Sequence, residues 1–149
     1  MGALAGAFLT VVIQSSSATM GIIITLASQG ILTLPAGIAI MLGAEIGTCA
    51  DTLMATLGRS RQAVRAGMFH LLFNVISVAI GIGLANQLAN LTVWMSGKAD
   101  IARQIANAHV LFNVGGVLLF IWFTPQVASL LKRIFPDRQN SQTLARANA

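Results

Sequence analysis

Four small polar residues, Gln14-Ser15-Ser16-Ser17, stand between two apolar stretches, residues 2–13 and 18–27. Such a run is costly in an apolar setting unless its polar groups find partners. It offers hydroxyls, an amide and the N–H groups that open the next helix, and helix N-termini hold anions through those N–H groups and the helix dipole. The same residues equally suit a serine-rich contact between helices, because small polar side chains allow close approach. A second group, Gly43-Ala44-Glu45-Ile46-Gly47-Thr48, interrupts the apolar stretch 31–57. Its two glycines form either a packing face or a point of unwinding that frees carbonyls for a hard cation. Glu45 and Asp51 are carboxylates within an apolar span, an expensive placement that marks candidates for function. Thr48 and Thr52 follow Glu45 at helical spacing and add oxygen ligands of the kind a hard cation takes. Asp51 alternatively reaches the membrane edge and pairs with Arg59 or Arg61. A third element occurs twice: His70-Leu71-Leu72-Phe73-Asn74 and His109-Val110-Leu111-Phe112-Asn113. In each copy His and Asn are four apart and share a helix face, as ligands or as hydrogen-bonding contacts between helices.

The elements that must position these residues are membrane helices. Residues 66–85 and 105–123 are each near the roughly 20 apolar residues that a crossing needs. Stretches 2–13 and 18–27 are about half that long, and joined at a polar tip they fit a re-entrant hairpin over 2–27. Residues 31–57 read as a long helix broken at Gly43–Thr48. The alternative is one ordinary helix over 2–27 and another over 31–57, with their polar residues facing neighbouring helices. Between the two full spans, residues 86–104 read as a polar loop with Trp94 as an interfacial anchor.

Composition excludes most other classes. The 149 residues are 56% hydrophobic and only 9% charged, where a soluble domain carries about a quarter. No charged residue precedes Glu45, and none lies between Arg65 and Lys98. The net charge of +5 comes from clusters beside the spans, Arg59, Arg61 and Arg65 in one and Lys132, Arg133, Arg138 and Arg146 in the other. Excess Lys and Arg mark cytoplasmic loops, so 58–65 and the tail are expected inside, and 86–104 and the mouth of the hairpin outside. Tyr is absent and no basic-aromatic strip exists, which argues against a nucleic-acid partner. Cys49 is the single cysteine, so neither an intrachain disulfide nor a cysteine zinc cluster is available. No nucleophile elbow or Walker loop surrounds the polar residues, and the chain is not read as an enzyme. The opening lacks a basic signal-peptide region, and its apolar start at Gly2 suggests a piece of something longer.

In these residues the chain resembles the sodium/phosphate cotransporter family, the type II group and its bacterial relatives. Three elements carry the resemblance in order: Thr10-Val11-Val12-Ile13-Gln14-Ser15-Ser16-Ser17-Ala18-Thr19, Gly43-Ala44-Glu45-Ile46-Gly47-Thr48, and His-x-Leu-Phe-Asn after a basic loop. Family members have two inverted repeats, each with such a hairpin and a broken helix. The resemblance implies an all-α, polytopic membrane fold with a re-entrant hairpin, a broken helix and two further spans. Residues 1–136 then form one repeat, the C-terminal one, and 137–149 a short basic tail. It implies that Gln14, Ser15, Ser16, Ser17 and Thr19 line the phosphate site. Sodium, the coupling ion, falls to Gln14, Ser17, Gly43, Glu45, Gly47 and Thr48, with no other cofactor or metal. The implied partners are inorganic phosphate, Na+, the bilayer of the cell membrane, and a second repeat from another chain or a missing N-terminal half. Three positions depart from the family: Glu45 stands where Asn is usual, Cys49 where a second Thr is common, and Asp51 is an added acid. A carboxylate repels phosphate and attracts sodium. A non-transporting assembly subunit, a truncated fragment and a transporter of another anion are the alternative readings.

Overall fold

The computed structural model describes residues 1–137. They form seven α-helices: α1 (Gly2–Ile13), α2 (Ser16–Ser28), α3 (Leu34–Thr56), α4 (Arg61–Gly83), α5 (Ala85–Ser96), α6 (Ile101–Phe120) and α7 (Thr124–Ile134). A 3-10 turn, Ile121–Phe123, joins the last two. No strand occurs among the described residues. Three segments are long and apolar enough to cross a membrane: Leu34–Thr56, Arg61–Gly83 and Ile101–Ile134. Their outer surfaces carry exposed Leu72, Ile76, Leu118 and Trp122, as expected where lipid is the solvent.

Local chemistry sets the turns. α1 stops at Gln14, the one non-glycine residue with positive φ (57°) among the described residues. Its N–H donates to the Thr10 carbonyl at 2.7 Å. Ser15 is extended and caps α2, its hydroxyl accepting from the Ala18 N–H at 3.2 Å. Two residues therefore reverse the chain, one left-handed and one capping. Pro35 lies in the first turn of α3, where its missing N–H costs nothing. Ser60 caps α4 and Asp100 caps α6.

α3 lies at the centre and touches α1, α2, α4, α5 and α6. Along one face it meets α1 backbone to backbone. A Cβ placed on Gly43 would fall on the carbonyl oxygen of Ala3, and one on Gly6 would fall on that of Ile40. A Cβ on Gly47 would lie 2.6 Å from Thr10 Cβ and 2.7 Å from the Ala7 carbonyl oxygen. Gly2 meets Ala39, and Thr10 meets Gly47, so α1 and α3 run parallel. Around the other side α2 and α6 close the core with Ile23, Ile38, Met41, Leu42 and Ile105, each 1% exposed or less.

Three sequence expectations change. The predicted broken helix over 31–57 is an unbroken α3, because Gly43 and Gly47 are bare to admit α1 rather than to let the helix unwind. The predicted loop 86–104 contains helix α5, whose Asn107–Ser96 hydrogen bond (2.8 Å) ties its end to α6. The spans expected at 66–85 and 105–123 begin earlier, at Arg61 and Ile101, because their caps lie at Ser60 and Asp100. Helical structure also continues past Phe123 through α7, an amphipathic helix ending in Lys132 and Arg133. Arg65 donates to the Phe135 carbonyl at 2.8 and 2.6 Å and to Asp137 at 2.9 Å. The Arg59–Arg65 segment and the basic end of α7 thus lie at one end of the bundle; residues 138–149 of the expected basic tail, with Arg138 and Arg146, lie outside the described residues.

The α1–α3 contact yields a test. Gly43→Ala forces backbone against backbone and lowers stability by about 3 kcal/mol, the upper part of the usual overpacking range. Gly21→Ala meets no atom within 4 Å and leaves stability within about 0.5 kcal/mol. Thermal unfolding of the two variants in detergent checks the contrast.

Candidate functional site

The candidate residues separate onto opposite faces of α3. Gly43 and Gly47 face the α1–α2 hairpin, whereas Glu45, two residues from each, projects from the far side.

On the hairpin side, Thr10 Oγ1 donates to Thr19 Oγ1 at 2.9 Å, and Thr19 Oγ1 donates to the Ser15 carbonyl at 3.1 Å. Both threonines are at most 1% exposed, so this short relay is sealed between α1, α2 and Gly47. Beyond it the tip opens. Gln14 and Ser17 are exposed, and Ser15 and Ser16 half-buried. The first N–H groups of any helix lack intrahelical partners. Here Ser15 takes that of Ala18, and those of Ser16 and Ser17 open the helix at the tip. Asp51 continues the Gly43–Gly47 line by one more turn and is exposed. The expected alternative of an Asp51 pair with Arg59 or Arg61 is not formed among the described residues, whose carboxylate pairs are Arg65–Asp137 and His109–Glu45. Gly47 and Thr19 are thereby joined through Thr10 in one place, with Gln14, Ser15, Ser16 and Ser17 forming the rim. Thr48 turns its hydroxyl back to the Ala44 carbonyl at 3.0 Å.

On the far side, Glu45 Oε1 accepts from His109 Nε2 at 3.0 Å and from Asn113 Nδ2 at 3.1 Å. Asn113 also donates to the His109 carbonyl at 3.0 Å. The other copy of the repeat behaves differently: Asn74 Nδ2 donates to the His70 carbonyl at 3.2 Å and lies 2.9 Å from His70 Nε2, within its own helix. So the C-terminal copy joins helices and the first closes on itself. The partnership of Glu45 with His109 and Asn113 was not read from sequence. Its signal was a mid-span acid together with a repeated His/Asn pair that required some partner.

The helices and their two polar clusters define a polytopic α-helical membrane protein with ionisable groups inside its span. The chain belongs to the Na+/Pi-cotransporter family, whose profile matches residues 1–135. It is 32% identical over 135 residues to the uncharacterized protein YqeW of Bacillus subtilis, covering 91% of this chain and 43% of that one. YjbB of Salmonella typhimurium, provisionally named an inorganic phosphate export protein, is 26% identical over 144 residues, 96% of this chain and 26% of YjbB. Human sodium-dependent phosphate transport protein 2B is 34% identical over 86 residues, 54% of this chain and 12% of the human one. The chain therefore spans less than half the length of these relatives. No solved structure matches it.

The hydroxyl relay gives a prediction. Thr19→Val strands the Thr10 hydroxyl in a dry contact and costs about 1–3 kcal/mol. The double variant Thr10→Val/Thr19→Val recovers most of that, so a double-mutant cycle in micelles shows a coupling near 1 kcal/mol.

Proposed function

We propose that this chain is one half, the C-terminal repeat, of a sodium-coupled phosphate transporter in the cell membrane. The observation that carries the reading is the polar tip of the α1–α2 hairpin. α1 has 12 residues and α2 has 13, lengths of about 18–20 Å, against a hydrocarbon core of about 30 Å. Thr10 lies level with Gly47, well inside the 23-residue α3. A hairpin of this length enters the membrane and returns, leaving Gln14 and Ser17 polar and uncovered at depth and Ser16 partly so. Exposed polar groups inside a bilayer call for a partner surface or a ligand.

Phosphate sits at this tip, held by the hydroxyls of Ser15, Ser16 and Ser17, the Gln14 amide and the N–H groups opening α2, while Thr19, sealed behind them, steadies the turn through its bond to the Ser15 carbonyl. A second, facing repeat covers it. Sodium is a hard cation that takes oxygen ligands, and Gln14, Ser17 and Thr48 supply them. A role for the Gly43 and Gly47 carbonyls requires α3 to unwind there in another state of the cycle. A sodium ion at Glu45 must compete with His109 and Asn113 for Oε1. The Arg59–Arg65 segment and α7 face the cytoplasm, following the charge rule. Sodium binding favours the loaded state, and rocking of one repeat on the other alternates access.

A second reading is a membrane assembly subunit in which the polar tip only packs helices. Uptake of labelled phosphate into proteoliposomes separates the two, with the chain reconstituted alone and with a first-repeat partner. The transporter reading predicts uptake that needs a sodium gradient and falls at least tenfold in Ser16→Ala at normal insertion. Uptake indifferent to sodium contradicts the coupling, and no uptake with either preparation favours the assembly role. Competition by sulfate or arsenate tests the choice of anion.

A further inference from the structure

The basic end of the bundle takes no ligand in that scheme. Two recesses of different chemistry meet there at Gln62. One, of about 530 Å³, is polar and lies around the start of α4, between Arg59, Ser60, Arg61, Gln62 and Asp137. The other, of about 420 Å³, is a groove between α4 and α7. Its α4 wall is Gln62, Arg65, Ala66 and Phe69, which share one helix face. Its α7 wall is Thr124, Ala128, Leu131 and Lys132. The two walls run in opposite directions. Gly81 lies beside Phe112, the Phe73 and Phe120 rings meet edge to face at 5.1 Å, and Arg65 reaches the Phe135 carbonyl at the end of α7. Lys132 therefore shares the Arg65 end of the groove, and Phe69 and Thr124 share the other. Thr124 turns its hydroxyl to the Phe120 carbonyl at 3.3 Å, which leaves that end apolar.

The charges at the first end are unevenly matched. Arg65 is engaged by the Phe135 carbonyl and by Asp137. Arg59, Arg61, Lys132 and Arg133 have no carboxylate partner among the described residues, whose ion pairs are Arg65–Asp137 and His109–Glu45. Asp51, exposed near the end of α3, pairs with none of them.

We propose that this end of the bundle binds an anionic phospholipid, its phosphate between Arg59 and Arg61 and one acyl chain in the α4–α7 groove. The division within such a lipid matches the site, with an anion at one end and hydrocarbon along the rest. Free phosphate would match the cations and leave the groove empty. An apolar helix of another chain would fill the groove and bring no charge to the arginines. Residues 138–149 include Arg138 and Arg146 and no acidic side chain, the wrong sign for the recess. α7 sets the level of the site: Leu130 and Ile134 are exposed beside Lys132 and Arg133, the pattern of a helix at the boundary between headgroups and hydrocarbon. On the orientation proposed above the lipid belongs to the cytoplasmic leaflet. Its binding depends neither on that orientation nor on phosphate transport. Seated there, it bridges α4 to α7.

Native mass spectrometry of the full chain in detergent reads the binding, with phosphatidylglycerol and phosphatidylcholine of identical acyl chains added in equal amounts. The first lipid bound is expected to be phosphatidylglycerol, favoured about tenfold. Arg59→Gln/Arg61→Gln is expected to erase that preference, and Arg59→Lys/Arg61→Lys to keep most of it. Arg65 stays in place because it holds the end of α7. Lys98→Gln/Arg103→Gln removes equal charge from the other end of the bundle and is expected to change nothing. Ala128→Phe fills the groove without touching a charge and is expected to lower phosphatidylglycerol binding several-fold. Ala66→Phe does the same from the α4 wall should Ala128→Phe fail to fold. A preference that survives Arg59→Gln/Arg61→Gln, or that Lys98→Gln/Arg103→Gln lowers equally, overturns the proposal. Binding that a filled groove leaves unaltered does so too, as does displacement of the lipid by excess inorganic phosphate, which makes the recess a site for the free anion.

Discussion

In lipid there is no water to drive apolar side chains together, so helices stay associated through close packing and hydrogen bonds. α1 achieves this by laying its backbone directly on that of α3. Gly6 meets the Ile40 carbonyl, Gly43 the Ala3 carbonyl, and Gly47 fits against Ala7 and Thr10. The rest of the arrangement follows from that approach. It sets α1 parallel to α3, which places the two-residue turn at Gln14 and Ser15 at a defined depth. It brings Thr10 close enough to Thr19 for a sealed hydroxyl bond. It also occupies the face of α3 that holds Gly43 and Gly47, and Glu45, two residues from each, emerges on the other.

The two faces of α3 have different chemistry for that reason. One is made of missing side chains and carries a hairpin whose polar tip remains open. The other carries a carboxylate held by two donors from α6. α6 also continues through a 3-10 turn into α7, which Arg65 fastens to the start of α4. The charged end of the bundle is thus a built corner rather than a loose loop. α3 thus stands between the hairpin on one side and an ionisable cluster on the other.

Much of this was legible in the residues. Apolar length identified the spans, and Gln14–Ser17 between two short apolar stretches identified the hairpin turn. The glycines were ambiguous, because Gly43 and Gly47 serve an unwound helix and a close-packed one equally well. Only the backbone of Ala3 and Ala7 and the side chain of Thr10, which lie against them, decide between the two, and the pairing of two helices so far apart in the chain is not visible in either one alone. α5 was missed because Ala85–Ser96 is too short and too polar to resemble a span, yet it has ordinary helix formers and packs on α6. The separation of Glu45 from Gly43 and Gly47 is simple helical geometry. Treating the six residues as one motif concealed it.

The proposed phosphate site at the hairpin tip is tested most directly by thiol labelling of Ser17→Cys in a Cys49→Ala background, with an impermeant reagent and the full chain in a bilayer beside a first-repeat partner. The account predicts labelling from one side of the membrane that phosphate slows several-fold, while sulfate has less effect. Labelling that phosphate does not alter, or a position that no aqueous reagent reaches from either side, contradicts it.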